Sequence, residues 1–483
     1  MIGRMKILMA SPECYPFAKV GGLGDVVGAL AKFLGQEGHD VRVFLPLYGC
    51  IDLPKNTTSY ENIEVRLGGH QRICRVWKHR MEGVVYYFIE YQQYFSGQTI
   101  YANGDYNGER FAFFDKAILD ICEAFHWIPD VIHCHDWTTG LIPVYLNTVY
   151  QNSPLSKVAS VFTIHNLEHQ GIFSPDILAY AGIPFNEFHA HSLEALGRVN
   201  FMKGALYHAT KLTTVSPTYA KEIQTPYFGH GLDAVLRFKA GDLIGILNGI
   251  DDTIWNPQTD PHLEAHFSSS DLQGKQICKK AIQSKLGLPI VDVPLIGVIS
   301  RLYAQKGLDI FMDVLPFIFD HMQVQVIAIG SGEPHWEYRL NELTKRFPDK
   351  MKVYIGYNNR LAHQTEAGCD LFMMPSRFEP CGLNQMYSMR YGTLPIVRAT
   401  GGLLDTVENL DETKETGCGF VFDNLCPDAI YNTVGWACAT YFDRPKLFRK
   451  MQKTAMLKNF GWQNAVTQYT QVYHWAIQQR NGY

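Results

Sequence analysis

The feature that most constrains the fold of this chain is a regular alternation of short apolar runs with longer segments whose apolar residues recur at helical spacing. Short apolar runs bounded by turn residues are typical of buried strands, and strands that alternate with helices form parallel sheets built of βαβ units. The alternation starts at Lys6–Ala10, breaks at the turn-rich stretch Asn248–Pro257 and restarts at Leu295–Ser300. It therefore predicts an α/β protein with two Rossmann-like, doubly wound domains that face a central cleft.

The break in the alternation defines the predicted domain boundaries. We place a first domain at residues 1–245 and a second at residues 246–458, and interpret residues 459–483 as a C-terminal helical segment. In the first domain, strands are predicted at Lys6–Ala10, Val41–Leu45, Val84–Glu90, Val131–His135, Val158–His165 and Leu212–Val215, with antiparallel additions within residues 50–83. In the second, they are predicted at Leu295–Ser300, Val324–Ile329, Val353–Tyr357, Asp370–Met374 and Leu394–Ala399. Helices are predicted at Val26–Leu34, Glu109–Ala124, Gly307–Phe319 and Trp462–Gln478, and from Leu383 onwards.

Composition and charge argue against several classes of function. The chain has 43 Lys and Arg against 47 Asp and Glu, a net charge of −4, and no long basic block, so a nucleic-acid or membrane-surface role has no support. Its 11 cysteines are scattered without a CxxC pair, which argues against disulfides and for a reducing cytoplasm. We find no secretory leader and no apolar run of membrane-spanning length. We expect a soluble cytoplasmic chain of enzyme size, and the sequence gives no basis for an oligomeric state.

The segment from Pro375 to Gly402 combines features of a ligand site. The apolar run Asp370–Met374 predicts a strand, the residues after it place Glu379 in a loop, and a helix follows from Leu383. In open α/β sheets, ligands bind beyond the carboxyl ends of strands, and helix N-termini favour anions such as phosphates. Gly401–Gly402 could form a second such turn. A carboxylate in such a loop, taken alone, more often caps the helix that follows it than binds a ligand. The other motifs in the chain favour a ligand site here.

A glycine-rich loop, Lys19–Asp25, follows the first predicted strand. Its glycine spacing is one residue too long for the G-x-G-x-x-G dinucleotide fingerprint, and the second strand is followed by Pro46 instead of the acidic residue that would hold a ribose. A nicotinamide-dependent oxidoreductase is therefore disfavoured. The loop would still let backbone amides approach an anion, with Lys19 as a mobile cation beside them. Tight packing alone would explain its glycines equally well.

Histidines cluster at the ends of two predicted strands. His133 and His135 share one face of a strand, but no further ligands follow at metal-like spacing, so we expect no metal site and a hydrogen-bonded core role for His133. The segment His165–His169 matches the H-x-x-E-H signature of zinc peptidases, which requires a helix where the pattern predicts a strand end. We therefore interpret Asp136 as a site residue and His165 as a hydrogen-bond partner for a sugar hydroxyl.

Two cations follow the first strand of the second domain. Arg301 and Lys306 lie in the loop that enters a predicted helix, with Gly307 at the turn. Two cations beside a helix N-terminus suit a diphosphate, since an Arg guanidinium can bind two oxygens at once. In isolation, the pair would be interpreted as solvated surface charges. No G-x-x-x-x-G-K-[ST] motif occurs, which disfavours a P-loop kinase or ATPase.

Taken together, these motifs resemble those of bacterial glycogen synthases and plant-type starch synthases, which are retaining glucosyltransferases of the GT-B architecture. The resemblance runs in order from residue 19 to residue 402 and so covers nearly the whole chain. The matching stretches are Lys19–Asp25, His135–Trp137, Phe162–Asn166, Asn248–Asp251, Ser300–Gly307 and Pro375–Gly402. The Lys-x-Gly-Gly loop and the Ser-Arg-Phe-Glu-Pro-Cys-Gly-Leu run are specific to this family, and Glu168–His169 is a minor departure from its pattern.

The resemblance implies roles for individual residues. The implied catalytic residues are Glu379, His165, Asp136, Arg301 and Lys306. The implied donor-binding residues are Lys19, Gly21, Gly22, Asn248, Arg301, Lys306, Tyr357, Cys381, Gly382, Leu383, Thr400, Gly401 and Gly402. Among these, Arg301 and Lys306 would hold the diphosphate of the donor, and Tyr357 would stack on its base. The resemblance also implies that the C-terminal helix completes the first domain.

The implied reaction is the transfer of glucose from ADP-glucose to the non-reducing end of an α-1,4-glucan, glycogen or starch, with retention of configuration. Departure of a diphosphate leaves an oxocarbenium-like transition state, which cations on the leaving group stabilise. We expect no cofactor and no metal ion, since the cations supply the positive charge. Same-face attack is favoured over a covalent intermediate because no second convincing carboxylate is found. The alternatives are use of UDP-glucose, a small-sugar acceptor, and a non-catalytic glucan-binding role.

Overall fold

The structure, a computed structural model, describes residues 3–97, 99–102 and 104–482. The chain divides into two compact units. The first unit runs to Gly249 and resumes at Trp462, and the second unit is Ile250–Gly461. The chain therefore passes from one unit to the other within the turn-rich stretch Asn248–Pro257.

The first unit is organised around one large sheet. Its strands are β1 (Lys6–Ala10), β2 (Asp40–Pro46), β3 (Thr58–Leu67), β4 (His70–Met81), β5 (Val84–Glu90), β6 (Val131–His135), β7 (Ala159–Ile164), β8 (Ile172–Phe173), β9 (Glu194–Ala195), β10 (Arg198–Asn200), β11 (Lys211–Thr214) and β12 (Leu243–Gly245). The large sheet has the order β12-β11-β7-β6-β1-β2-β5-β4-β3, while β8, β10 and β9 form a small antiparallel sheet. Strands β12 to β5 run parallel, and β3 and β4 add an antiparallel hairpin at one edge.

Helices connect the parallel strands of the first unit and cover its sheet, so that strands such as β1 and β7 are buried along most of their length. The helices before the unit boundary are α1 (Gly22–Gln36), α2 (Gln92–Phe95), α3 (Tyr106–Ala124), α4 (Leu141–Asn147), α5 (Ile177–Ala181), α6 (Phe201–His208), α7 (Pro217–Glu222) and α8 (Asp233–Phe238). The hairpin formed by β3 and β4 confirms the antiparallel additions predicted for residues 50–83.

The second unit is a doubly wound sheet with all strands parallel. Its strands are β13 (Leu295–Ile299), β14 (Gln325–Gly330), β15 (Met351–Ile355), β16 (Leu371–Met374), β17 (Leu394–Arg398) and β18 (Phe420–Phe422). Its helices are α9 (Gln273–Leu286), α10 (Leu308–His321), α11 (Pro334–Arg346), α12 (Asn359–Gly368), α13 (Asn384–Arg390), α14 (Gly401–Thr406), α15 (Pro427–Asp443) and α16 (Pro445–Met456). The strand order β15-β14-β13-β16-β17-β18 is the 3-2-1-4-5-6 order of the Rossmann fold.

The last helix, α17 (Gln463–Asn481), belongs to the first unit. It packs on β6 and β7, and its buried residues include Tyr469 and Tyr473. The hydroxyl of Tyr473 lies 2.8 Å from Nδ1 of His133 on β6. None of the described helices is long and apolar enough to cross a membrane.

Several predicted elements differ from the structure by a few residues at their ends, and two of these differences concern predicted site residues. Helix α1 begins at Gly22, four residues before the predicted start, so Gly22–Asp25 are helical and not part of the preceding loop. Gly21, in extended conformation, is the residue before the helix. Strand β15 ends at Ile355, and Gly356, at φ +131°, turns the chain away, so Tyr357 lies beyond the strand instead of ending it.

Candidate active site

In the second unit, the strand order reverses at β13, which lies between β14 and β16. Consecutive crossovers leave the sheet in opposite directions at such a point, and open a crevice at the carboxyl ends of the two strands. Arg301 and Lys306 follow β13, and Glu379 follows β16. The topology therefore brings the predicted cations and the predicted carboxylate to one edge of one sheet.

Lys306 and Glu379 form a two-pronged ion pair at this edge. The Lys306 ammonium donates to both carboxylate oxygens of Glu379, at 2.9 Å from Oε1 and 2.6 Å from Oε2. The hydroxyl of Ser376 also donates to Oε2, at 2.8 Å. An ammonium has three N–H donors, so one remains for another acceptor. Glu379 is only 5% exposed, and these contacts hold its carboxylate in one orientation.

Glu379 does not cap the helix that follows it. Helix α13 begins at Asn384 after Leu383, whose side chain makes no capping hydrogen bond. The helix-capping interpretation that competed with a site role is therefore wrong, and the partners of the carboxylate are Lys306 and Ser376.

A second ion pair fastens the loop of Glu379 to the loop of Lys306. Arg377 donates from both terminal nitrogens to Asp309 at the start of α10, at 2.7 Å and 2.6 Å, and also to the carbonyl oxygen of Ala304. The Arg377 guanidinium lowers the pKa of Asp309 below its usual value. The backbone amide of Arg377 also donates to the Lys306 loop, to the carbonyl oxygen of Gln305 at 2.8 Å. The two loops therefore form one cross-linked surface.

Arg301, by contrast, is exposed and has no carboxylate partner among the described residues. Its guanidinium carbon lies 5.7 Å from the centre of the Tyr303 ring. A guanidinium with free N–H groups at the switch point of a sheet can bind an anion in two-pronged fashion. Tyr357 is also exposed, at 73%, and its hydroxyl donates to Asn359 at 3.1 Å.

The glycine pair Gly401–Gly402 packs against the backbone of the Glu379 loop. A Cβ on Gly401, which has φ +44°, would lie 2.0 Å from the carbonyl oxygen of Glu379, and one on Gly402 would lie 2.1 Å from that of Cys381. The amide of Gly402 donates to the Glu379 carbonyl at 3.1 Å. Close packing alone therefore explains why these two positions have no side chain, independently of any ligand that they bind. The other predicted donor residues of this edge are Cys381, Gly382, Leu383 and Thr400, of which Cys381 and Thr400 are buried and Gly382 has φ +71°.

In the first unit, β1 lies between β2 and β6, so the loops that follow β1 and β6 lie at the switch point. The loop after β1 carries Lys19, whose ammonium lies 2.6 Å from Asp25 in the first turn of α1. Glu13, which sequence analysis did not single out, accepts hydrogen bonds from the amides of Val20 and Gly21 at 2.6 Å and 3.1 Å. In this structure the amide of Gly21 is therefore engaged by Glu13.

Tyr101 completes this arrangement by donating to the other carboxylate oxygen of Glu13 at 2.6 Å. The glycine loop is thus tied through Glu13 to the segment before α3. The position of Glu13, just beyond the carboxyl end of β1, was the only signal in the sequence that could have pointed to it. Ser376 and Arg377 lie in the family-specific run Ser-Arg-Phe-Glu-Pro-Cys-Gly-Leu, which does not show what their side chains contact.

Asp136 links the carboxyl ends of β6 and β7. Its backbone has φ 58°, and its carboxylate accepts from the amides of His165 at 2.7 Å and Asn166 at 3.4 Å. Burial raises the pKa of Asp136 to about 7, against the opposing effect of the two amide bonds. The structure therefore brings Asp136 and His165 together at the carboxyl ends of two neighbouring strands.

The histidines of this edge form a buried cluster. His135 Nδ1 lies 3.0 Å from His165 Nε2, and the rings of His135 and His133 are 4.0 Å apart. His133 is hydrogen-bonded on both sides, to Tyr473 and to Thr163, which confirms its predicted core role. Burial lowers the pKa of His165 to about 3 and that of His135 well below its usual value.

Asn248, near the end of the first unit, is 5% exposed. Its side-chain carbonyl oxygen is buried and has no hydrogen-bond partner in the part of the chain that the structure describes. A buried acceptor without a partner is uncommon in proteins and leaves a place for a ligand donor. Within the same described residues, no group of three or more His, Cys, Asp or Glu side chains could hold a metal ion.

Comparisons with known proteins show which families this chain is similar to. The model of the family "Starch synthase catalytic domain" matches residues 6–238, and that of "Glycosyl transferases group 1" matches residues 282–453. The chain is 46% identical to Glycogen synthase 1 of Geobacter sulfurreducens over 99% of this chain and 98% of that protein. It is 43% identical to Glycogen synthase of Treponema denticola, with 99% of each covered.

Among solved structures, the catalytic domain of starch synthase IV from Arabidopsis thaliana, bound to ADP and acarbose, has a TM-score of 0.92 and 34% identity, with 99% of this chain and 100% of that chain covered. A sucrose-phosphate synthase of Thermosynechococcus elongatus, at 18% identity and a TM-score of 0.62, shows likeness of fold alone. The predicted GT-B fold is confirmed by the two matched domains and by the starch synthase structure.

Proposed function

The chain belongs to the family of glycogen and starch synthases, and from this premise we propose that it transfers glucose from ADP-glucose to the non-reducing end of an α-1,4-glucan with retention of configuration. The observation that carries the proposal is the pairing of Lys306 with Glu379 at the switch point of the second unit, where Arg301 has no carboxylate partner among the described residues. The donor assignment draws support from the starch synthase IV domain, which was solved with ADP bound.

The two cations would act on the leaving group. Arg301, exposed and without a carboxylate partner in the described part of the chain, can offer its N–H groups to phosphate oxygens, and Lys306 keeps one N–H after its two bonds to Glu379. Negative charge grows on the diphosphate as the bond to the sugar breaks, so both cations would stabilise the transition state more than the bound donor. Tyr357, exposed beyond β15, is the proposed stacking partner of the base.

Glu379 would stand beside the sugar ring. Its carboxylate is oriented by Lys306 and Ser376, and its negative charge would tolerate the positive charge that develops at the anomeric carbon. We propose that the acceptor hydroxyl attacks that carbon on the face from which the phosphate departs. The C–O bond to the diphosphate breaks, a new C–O bond forms to the glucan, and the departing phosphate oxygen accepts the hydroxyl proton. This sequence retains configuration without a covalent enzyme intermediate.

Residues of the first unit would contact the transferred glucosyl group and the phosphates of the donor. Asp136 and His165, held together at the ends of β6 and β7, are the proposed contacts to sugar hydroxyls. Lys19 and the first turn of α1, which begins at Gly22, are the proposed contacts to phosphate. The unpartnered carbonyl oxygen of Asn248 would accept from a donor hydroxyl. Gly21, Cys381, Gly382, Leu383, Thr400, Gly401 and Gly402 complete the proposed donor site.

We further propose that the reaction needs no cofactor and no metal ion, because protein cations neutralise the diphosphate. The proposed location is the cytoplasm. In its support, all 11 cysteines are free thiols, and each lies in the described part of the chain.

The test is the transfer of labelled glucose to glycogen, with ADP-glucose and UDP-glucose supplied in parallel, each with and without a metal chelator. We expect incorporation from ADP-glucose, unchanged by the chelator. Digestion with an exo-acting enzyme specific for α-1,4 bonds should release the label as maltose, which reports both the linkage and its position at the non-reducing end.

Other outcomes would redirect the proposal in defined ways. Preference for UDP-glucose would change the donor and keep the mechanism. Label recovered on maltose or glucose but not on glycogen would indicate a small-sugar acceptor. Retained binding to glycogen without transfer from either donor would replace the enzyme with a glucan-binding protein, and loss of activity with chelator would contradict the metal-free mechanism.

A further inference from the structure

The contact between His135 and His165 is the least expected feature of the first unit. His135 is the last residue of β6, fully buried, and its Nδ1 lies 3.0 Å from Nε2 of His165. Burial keeps both imidazoles neutral near neutral pH, because it lowers the pKa of each. A neutral imidazole carries one N–H and one acceptor nitrogen, so one ring must donate to the other.

The unused nitrogen of His135 decides which ring donates. Nε2 of His135 is buried and has no hydrogen-bond partner among the described residues. If His165 donated, the proton of His135 would sit on this nitrogen, as a buried N–H without an acceptor, which is rare in folded proteins. If His135 donates from Nδ1, its Nε2 carries no proton and is an acceptor without a donor. This state costs less free energy than a buried N–H without an acceptor. His165 then carries its own proton on Nδ1.

The ring of His135 packs against the ring of His133. The centres of the two rings lie 4.0 Å apart, with the ring planes inclined by 38°, and His133 is hydrogen-bonded on one side to Tyr473 at 2.8 Å and on the other to Thr163 at 2.5 Å. Helix α17 therefore supports, through His133, the ring that contacts His165. The backbone amide of His165 is held separately by Asp136.

We propose that His135 is a positioning residue that fixes His165 in the tautomer with its proton on Nδ1, so that His165 meets the sugar as a hydrogen-bond donor. Nε2 of His165 faces His135, while Nδ1 makes no hydrogen bond to the described residues, and the residue is only partly buried. A neutral N–H at this place can donate to a sugar hydroxyl oxygen and cannot accept a proton from one. The role toward a sugar rests on the proposed function, whereas the tautomer does not.

The tautomer can be measured directly by NMR on the full chain. Ring nitrogens that carry a proton and those that do not differ widely in nitrogen chemical shift, and ¹⁵N-labelled histidine makes all 18 histidines visible. The His165→Gln variant identifies the signals of His165 by their disappearance. We expect Nδ1 protonated and Nε2 unprotonated in the unmodified protein, and the reverse pattern would overturn the proposal. This readout is independent of glucose transfer, so it stands even if the proposed function fails.

Two variants of His165 form a matched pair. The amide nitrogen of Asn overlies Nδ1 of His, and that of Gln overlies Nε2, so His165→Asn keeps a donor toward the ligand and His165→Gln moves it toward His135. We expect His165→Asn to retain kcat at least about ten times that of His165→Gln. Equal activity in the two variants, in a protein whose unmodified form transfers glucose, would contradict the donor role.

The supporting residue is tested through His135→Leu and His135→Asn. Leu removes the donor, and a small displacement of a substrate-binding group can cost about 10²-fold in rate. Asn offers an amide donor at the place of Nδ1 and should restore most of the lost kcat while the His165 signals keep the Nδ1–H pattern. Unchanged kcat in a folded His135→Leu variant would remove the positioning role.

Discussion

Replacement of Lys306 by Met tests the ion pair with Glu379 for stability and activity at once. The Lys306 side chain is 18% exposed and that of Glu379 is 7% exposed. In the variant, the Ser376 hydroxyl is the one side-chain donor left to the carboxylate among the described residues. Removing one partner of a fully buried ion pair costs about 3–5 kcal/mol. Because water can reach part of this pair, we expect the free energy of unfolding to fall by about 1–3 kcal/mol, the cost of an unsatisfied buried group.

The double variant Lys306→Met/Glu379→Gln separates the two roles. A Gln carries no charge to bury, and its carbonyl oxygen can still accept from Ser376, so the double variant should recover most of the lost stability. The coupling free energy between the two positions should fall within about 0.5–3 kcal/mol, as for residues in direct contact. Activity should not recover. Loss of one group that stabilises transition-state charge costs about 10²–10³-fold in kcat.

Arg301→Met is the matched control. Arg301 is exposed and has no carboxylate partner among the described residues, so the free energy of unfolding should change by no more than about 0.5 kcal/mol. The loss of kcat should nevertheless resemble that of Lys306→Met. Stability would be measured by urea denaturation followed by tryptophan fluorescence, and activity by incorporation of labelled glucose. The reasoning is refuted if Lys306→Met is as stable as the unmodified protein, or if the double variant is no more stable than the single one.

Three further predictions follow from single contacts. Gly21→Ala places a Cβ where nothing lies within 4 Å, so it should leave stability unchanged and raise the KM for ADP-glucose. Gly28→Ala, whose Cβ would lie 2.5 Å from a carbonyl oxygen, should instead lower the thermal unfolding temperature. The opposite pattern in the two variants would contradict the packing. The folded-state pKa of Asp136, about 7, lies above its ordinary value near 3.8, so its contribution to stability falls as pH rises between these values. Asp136→Asn should therefore gain stability relative to the unmodified protein across that range, and a pH-independent difference would exclude the raised pKa. Arg377→Ala removes both hydrogen bonds to the Asp309 carboxylate, and should lower the free energy of unfolding by about 1 kcal/mol or less and reduce kcat. Arg377→Lys keeps one contact to this carboxylate and should have smaller effects on both quantities.

Local patterns were sufficient to predict the strands, because buried parallel strands are short apolar runs whose ends are marked by polar and turn residues. β1, β5 and β6 have the predicted bounds. The bounds were wrong where a single backbone conformation decides them. The start of α1 depends on Gly21 and on the acceptor Glu13, and the end of β15 depends on the left-handed Gly356.

The candidate site was predictable in its parts and not in its contacts. Carboxyl ends of parallel strands meet at one edge of a sheet, so Arg301, Lys306 and Glu379 could be expected near one another from the strand assignment alone. The family resemblance supplied their roles. Neither argument revealed that Lys306 bonds to Glu379, because a side chain in a loop has no periodicity that fixes its direction.

The sequence by itself determined the α/β class, the two doubly wound domains, the GT-B fold and the family. These depend on apolar spacing and on short motifs, which are local properties of the chain. Only the tertiary structure decided how the site is supported: Glu13 binds the glycine loop, Arg377 clamps two loops through Asp309, and Tyr473 of the last helix reaches His133 across 340 residues of sequence. Each of these contacts joins segments whose proximity depends on the packing of intervening elements, and no local pattern records such proximity.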